Sequence, residues 1–62
     1  MTHNEKLKVI QAMRARGGSF VRALAEAWMH ADDDNCARIE AAFPEYVARY
    51  AEIARTMPRE LA

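Results

Sequence analysis

The sequence predicts an all-α protein: three to four short helices in a small bundle, completed by homodimerisation. Three observations point there. Apolar residues recur at helical spacing in successive segments, strand-like alternation never extends beyond a few residues, and Gly, Asp/Asn and Pro punctuate the segments at short intervals. Helices are expected over residues 4–16, 19–31, 33–42 and 44–57 of a single domain spanning 1–62.

The first helix opens on Thr2-His3-Asn4-Glu5, a hydroxyl followed three residues later by a carboxylate, which is the spacing of a capping box; Asn4 is the alternative cap. Leu7, Ile10 and Arg14 then share a stripe with Val9, Ala12 and Met13 beside it, while Lys6, Lys8, Gln11 and Arg16 fall largely elsewhere. Arg14 and Arg16 stand in the last turn, where positive charge offsets the macrodipole. Gly17-Gly18 is expected to end the helix by adopting the left-handed conformation that many C-caps use.

Ser19 is the natural N-cap of the second helix. Val21, Leu24, Ala25 and Trp28 follow the i, i+3, i+4, i+7 pattern of a buried face, and Phe20 broadens it. Arg22 and Glu26 are four apart and able to pair. Asp32-Asp33-Asp34-Asn35 interrupts the pattern with residues that favour caps and turns, so one aspartate is expected to cap the third helix. Cys36, Ile39, Ala42 and Phe43 make its short stripe. Phe43 is biased away from helix by the following proline, and Pro44 suits the first position of a fourth helix. There Tyr46, Val47, Tyr50, Ile53, Ala54 and Met57 recur at helical spacing, with Arg49, Glu52 and Arg55 facing outward. Pro58 is expected to stop it, leaving residues 59–62 as a loose end.

Sixty-two residues make one small domain, and a chain of that size buries only about 60 % of its unfolded surface. Cys36 is the only cysteine, which excludes an internal disulfide and fits a reducing, cytoplasmic setting. The polar start lacks the apolar run of a signal peptide, and no stretch has the length and apolarity of a membrane span. Tight packing or a second subunit must therefore supply stability. The net charge is zero but unevenly placed. Residues 1–22 set Lys6, Lys8, Arg14, Arg16 and Arg22 against Glu5, for +4. Residues 23–48 set Arg38 against Glu26, Asp32, Asp33, Asp34, Glu40 and Glu45, for −5, and the remainder carries +1. Such a split permits antiparallel self-pairing, or steering toward a charged partner, although helix surfaces also carry charge simply to stay solvated.

Enzymatic chemistry finds no foothold. An EF-hand loop starting at Asp32 would need a ligand at 36, glycine at 37 and glutamate at 43, where the chain has Cys36, Ala37 and Phe43. Cys36, His3 and His30 are one ligand short of a structural zinc site. A nucleophilic thiol would need a positioned base and a pocket deeper than a chain this short builds, so Cys36 reads as a small buried hydrophobe. Gly17-Gly18-Ser19 lacks the strand and lysine of a phosphate loop. No metal or cofactor is expected. Helix-turn-helix DNA binding is the alternative, with residues 35–43 as recognition helix, but three aspartates precede that helix and oppose phosphate approach. Phe20, Trp28, Phe43, Tyr46 and Tyr50 hold all the aromatic surface. They read either as a core between the second and fourth helices or as interface anchors. With the basic group Arg14, Arg16 and Arg22 they are the candidate protein-contacting residues.

Finally, Arg16-Gly17-Gly18-Ser19-Phe20-Val21, Ala23-Leu24-Ala25-Glu26-Ala27-Trp28, Ala31-Asp32, Asn35, Arg38-Ile39 and Ala42-Phe43-Pro44-Glu45-Tyr46 resemble a pattern in small helical proteins encoded by phages and prophages. The resemblance covers residues 14–50. It implies a chain that binds a host protein or defence complex and blocks or redirects it, or an accessory of virion assembly, and it carries over no residue roles.

Overall fold

The computed structural model describes residues 2–57 and contains four helices: α1 (His3–Arg16), α2 (Ser19–His30), α3 (Asp33–Ala42) and α4 (Pro44–Thr56). Among the described residues there is no strand, and the fold is an all-α bundle. The stop expected at Pro58 and the loose end at 59–62 lie outside the described residues.

Local chemistry sets most of the boundaries. Thr2 caps α1, its hydroxyl accepting from the Glu5 amide at 3.1 Å while Glu5 Oε1 accepts from the Thr2 amide at 2.8 Å. These bonds hold the Glu5 carboxyl below the usual carboxylate range, the Thr2 backbone amide contributing most. Asp32 caps α3 by accepting from the Asn35 amide at 2.8 Å, with Asp33 and Asp34 in the first turn. Phe43 closes α3 and opens α4, and Pro44 occupies the first turn of α4.

The turn between α1 and α2 departs from expectation twice. Gly17 has φ −84° and ψ 160°, so neither glycine adopts the left-handed conformation. Gly18 is the N-cap of α2, without a side-chain bond, and Ser19 is already helical. What Gly17 supplies is room: a Cβ there would come within 2.5 Å of the Met13 carbonyl oxygen and of Val21 Cγ1. A Cβ on Gly18 would meet nothing within 4 Å. The first glycine permits close approach of α1 and α2; the second is a sterically free hinge point.

The core is organised around α1. This helix packs along both α2 and α4, whereas the contacts of α3 with α2 and α4 are few and α2 barely touches α4. Val9, Ile10, Ala12 and Met13 are buried together with Val21, Ala25 and Trp28 of α2, Cys36 of α3 and Tyr50 of α4. Of the five aromatic residues only Trp28 and Tyr50 enter this core, so the first of the two readings, a core of all five between the second and fourth helices, does not hold. The buried face of α1 is also rotated from the predicted stripe: Leu7 is 37 % exposed and Arg14 is exposed, while Val9 and Met13 are inside. The reason is that α1 is covered on two sides, so a single stripe does not describe its burial. Lys6, expected at the surface, is half-buried and donates from Nζ to Cys36 Sγ at 3.2 Å, tying α1 to α3. Cys36 in turn donates to the carbonyls of Trp28 at 3.8 Å and Ala31 at 3.6 Å.

Three outcomes follow from these local arrangements. Gly17→Ala should lower stability by about 1–3 kcal/mol in urea denaturation, because rigid neighbours must move. Gly18→Ser should instead be neutral or gain about 0.5 kcal/mol from a capping oxygen. The Glu5 carboxyl, lowered on folding, contributes stability that is present above its unfolded pKa and is lost as pH falls through its folded pKa. An acid titration followed by amide exchange in the first turn of α1 should show this fraying in the wild type. The transition should be absent in Glu5→Gln.

Candidate protein-interaction surface

The five aromatic residues divide by environment. Trp28 has no exposed surface and Tyr50 is 7 % exposed, so both are core residues with no face for a partner. The Trp28 indole Nε1 is buried without a hydrogen-bond acceptor among the described residues; such a group costs about 1–3 kcal/mol, which the packing of the rest of the ring outweighs. This burial removes Trp28 and Tyr50 from the candidate contact set.

The other three gather at the surface. Phe20 from the start of α2, Phe43 from the α3–α4 junction and Tyr46 from the first turns of α4 form a triangle of rings. Their centroids are 5.9 Å apart for Phe20–Phe43, 6.0 Å for Phe20–Tyr46 and 5.9 Å for Phe43–Tyr46. The Phe20–Phe43 pair is edge-on, a geometry favoured by the ring quadrupoles. Phe43 and Tyr46 are half-buried, and Phe20 is 55 % exposed. Elements far apart in sequence make this cluster, the start of α2 meeting the α3–α4 junction.

Phe43 also forms the end of a groove between α2 and α3, of about 420 Å³. Ala27 and Ala31 line one wall, Ile39 and Ala42 the other, and His30, Asn35 and Arg38 stand at the edge. The groove lies between two helices joined by the short Ala31-Asp32 turn, where small side chains, Ala27 and Ala31 on one side and Ala42 on the other, leave space unfilled. Aromatic cluster and groove together make one apolar face.

No protein family, curated protein or solved structure matches this chain. Its surface is therefore read from its own chemistry.

The basic candidates differ in their partners. Arg14 reaches Glu26 at 4.0 Å across the α1–α2 contact, and His30 reaches the other Glu26 oxygen at 3.3 Å. Glu26 is thus engaged by these two rather than by Arg22, as the four-residue spacing had suggested. Arg16 and Arg22 are exposed and make no ion pair among the described residues. Arg22 is two positions from Phe20, about 200° around the helix, so it does not share a face of α2 with the aromatic cluster. Elsewhere Arg38 pairs with Asp34 at 3.2 Å and Arg55 with Glu52 at 2.8 Å; exposed pairs of this kind add little stability.

Among the described residues no three His, Cys, Asp or Glu side chains are placed to hold a metal ion. Cys36 is buried, and its hydrogen-bond partners are Lys6 and two backbone carbonyls rather than a histidine. No helix among the described residues is long and apolar enough to cross a membrane.

The division of the aromatics has a direct test. Trp28→Ala should cost about 3–5 kcal/mol, as large buried aromatics do, and unfold much of the population. Phe20→Ala should cost about 1 kcal/mol or less, the scale of one edge-on ring contact. Thermal melts followed by circular dichroism distinguish the two. Similar losses for both would place Phe20 in the core.

Proposed function

We propose that this chain is a non-enzymatic protein-interaction module that docks through the face formed by Phe20, Phe43, Tyr46 and the α2–α3 groove. The observation that carries the reading is the exposure of Phe20 beside two half-buried rings and an apolar groove. An amphipathic or extended segment of a partner protein would cover such a face, since aromatic anchors in pockets dominate most protein interfaces. Burial of the strongest hydrophobe, Trp28, in the core supports a rigid scaffold beneath it. The resemblance over residues 14–50 supports a phage or prophage setting, in which the partner is a host protein or defence complex that the chain blocks or redirects in the cytoplasm.

DNA binding is less favoured. A recognition helix at α3 would present Asp33 and Asp34 in its first turn, and Arg38 there is already paired with Asp34. Phosphates would meet net negative charge.

The test is capture of bacterial proteins from lysate on immobilised chain, comparing wild type with Phe20→Ser and Tyr46→Ser. A specific partner held by wild type should weaken at least tenfold with either variant, while both retain the helical spectrum. Capture that is indifferent to both substitutions would reject this face as the docking surface.

A further inference from the structure

We propose that Lys6 and Cys36 are a redox-responsive pair: on exposure to peroxide, the Cys36 sulfur and the Lys6 side-chain nitrogen join in a reversible sulfenamide bond that fastens α3 to α1. The juxtaposition that carries it is the 3.2 Å approach of Lys6 Nζ to Cys36 Sγ, between residues 30 positions apart in the chain.

The pair differs from an ordinary surface contact in its confinement and in its lack of competitors. Cys36 is 8 % exposed and Lys6 is half-buried, so the two reactive atoms meet in a space that admits a small oxidant far more readily than a thiol of another protein. Sγ is also bonded to the carbonyls of Trp28 and Ala31 at the end of α2, which fix the sulfur where the ammonium group reaches it. Cys36 is the only cysteine, so the chain holds no second thiol to resolve an oxidised sulfur, and the Lys6 nitrogen stands in that place. Lys8, the only other lysine, is exposed and lies about 200° around α1 from Lys6.

The chemistry balances with hydrogen peroxide as oxidant. The Cys36 thiol gives its proton to solvent and the thiolate attacks one peroxide oxygen; the O–O bond breaks and an S–O bond forms, giving the sulfenic acid. The departing hydroxide takes a proton from the Lys6 ammonium group, so one water leaves and the amine gains a free electron pair. That pair attacks sulfur, the S–O bond breaks, and the oxygen leaves as a second water with a proton from nitrogen. Sulfur is oxidised by two electrons and the peroxide is reduced to two waters. The product is a covalent bridge between α1 and α3, helices with scarcely any other contact, and it secures the α3 wall of the α2–α3 groove.

The test is to treat the full chain with hydrogen peroxide and map its peptides by mass spectrometry. The peptide holding Lys6 should be joined to the one holding Cys36, the pair being about 2 Da lighter than the two apart, and a thiol reductant should separate them. Lys6→Arg keeps the positive charge but offers no amine, so its Cys36 should advance to the sulfinic acid instead. Amide exchange in α3 should slow at least about tenfold in the linked chain and stay unchanged in peroxide-treated Lys6→Arg. Peroxide also adds oxygen to methionine, but that change is common to both proteins and joins no peptides. A wild type whose Cys36 reaches only the sulfinic acid, or a disulfide between two chains, overturns the proposal, as does a link to Lys8 in place of Lys6. Should Lys6→Arg lose the helical spectrum, the wild-type peptide map decides alone, since it reads the linked atoms directly.

Discussion

The burial of Trp28 against α1 is the constraint on which the rest depends. Its ring is the largest fully buried side chain, and Ile10 and Met13 of α1 are the next. Once α2 delivers that ring to α1, the two helices must lie close, and Gly17 is the residue that lets their joining turn pass between Met13 and Val21. The α4 helix then covers the opposite flank of α1 with Tyr50, and α3 bridges the gap with little apolar surface of its own. A chain this short has few side chains with which to fill a core, so one tryptophan fixes a large share of the arrangement.

The same constraint explains the exposed face. With α1 saturated by Trp28, Val21 and Ala25 on one side and by α4 on the other, the remaining apolar stripe of α2 has only α3 to meet. That stripe is mainly alanine, and α3 diverges from it. The groove is what is left, and Phe43, which lines it, meets Phe20 and Tyr46 in a cluster that stays partly exposed.

The helices were legible in the sequence wherever their ends are governed by nearest neighbours. Thr2 with Glu5, Asp32 with Asn35, and Pro44 act over three residues or fewer, and each is found in its predicted role. The α2 cap falls at Gly18, one position before Ser19, because glycine takes the extended cap backbone equally well. Features that depend on distant packing were not legible. The rotated face of α1, the bond from Lys6 to Cys36 and the choice of which aromatics stay outside all follow from how α1 is enclosed. A more local signal did exist for the surface cluster: Phe20 lies to the side of the Val21–Ala25–Trp28 stripe, and Phe43 is held at a helix junction where its ring cannot follow either helix inward.

The thin anchoring of α3 has a consequence for motion. Only Cys36 is fully buried on that helix, where it joins the apolar core, with half-buried Ile39 packed against that core, and its hydrogen-bond partners are the Lys6 ammonium group and two backbone carbonyls at the end of α2. Local opening free energy tracks buried apolar contact, so α3, with one fully buried side chain, is held less firmly than α1, α2 or α4. The α3 wall of the groove is accordingly the one whose displacement would cost the least buried apolar contact.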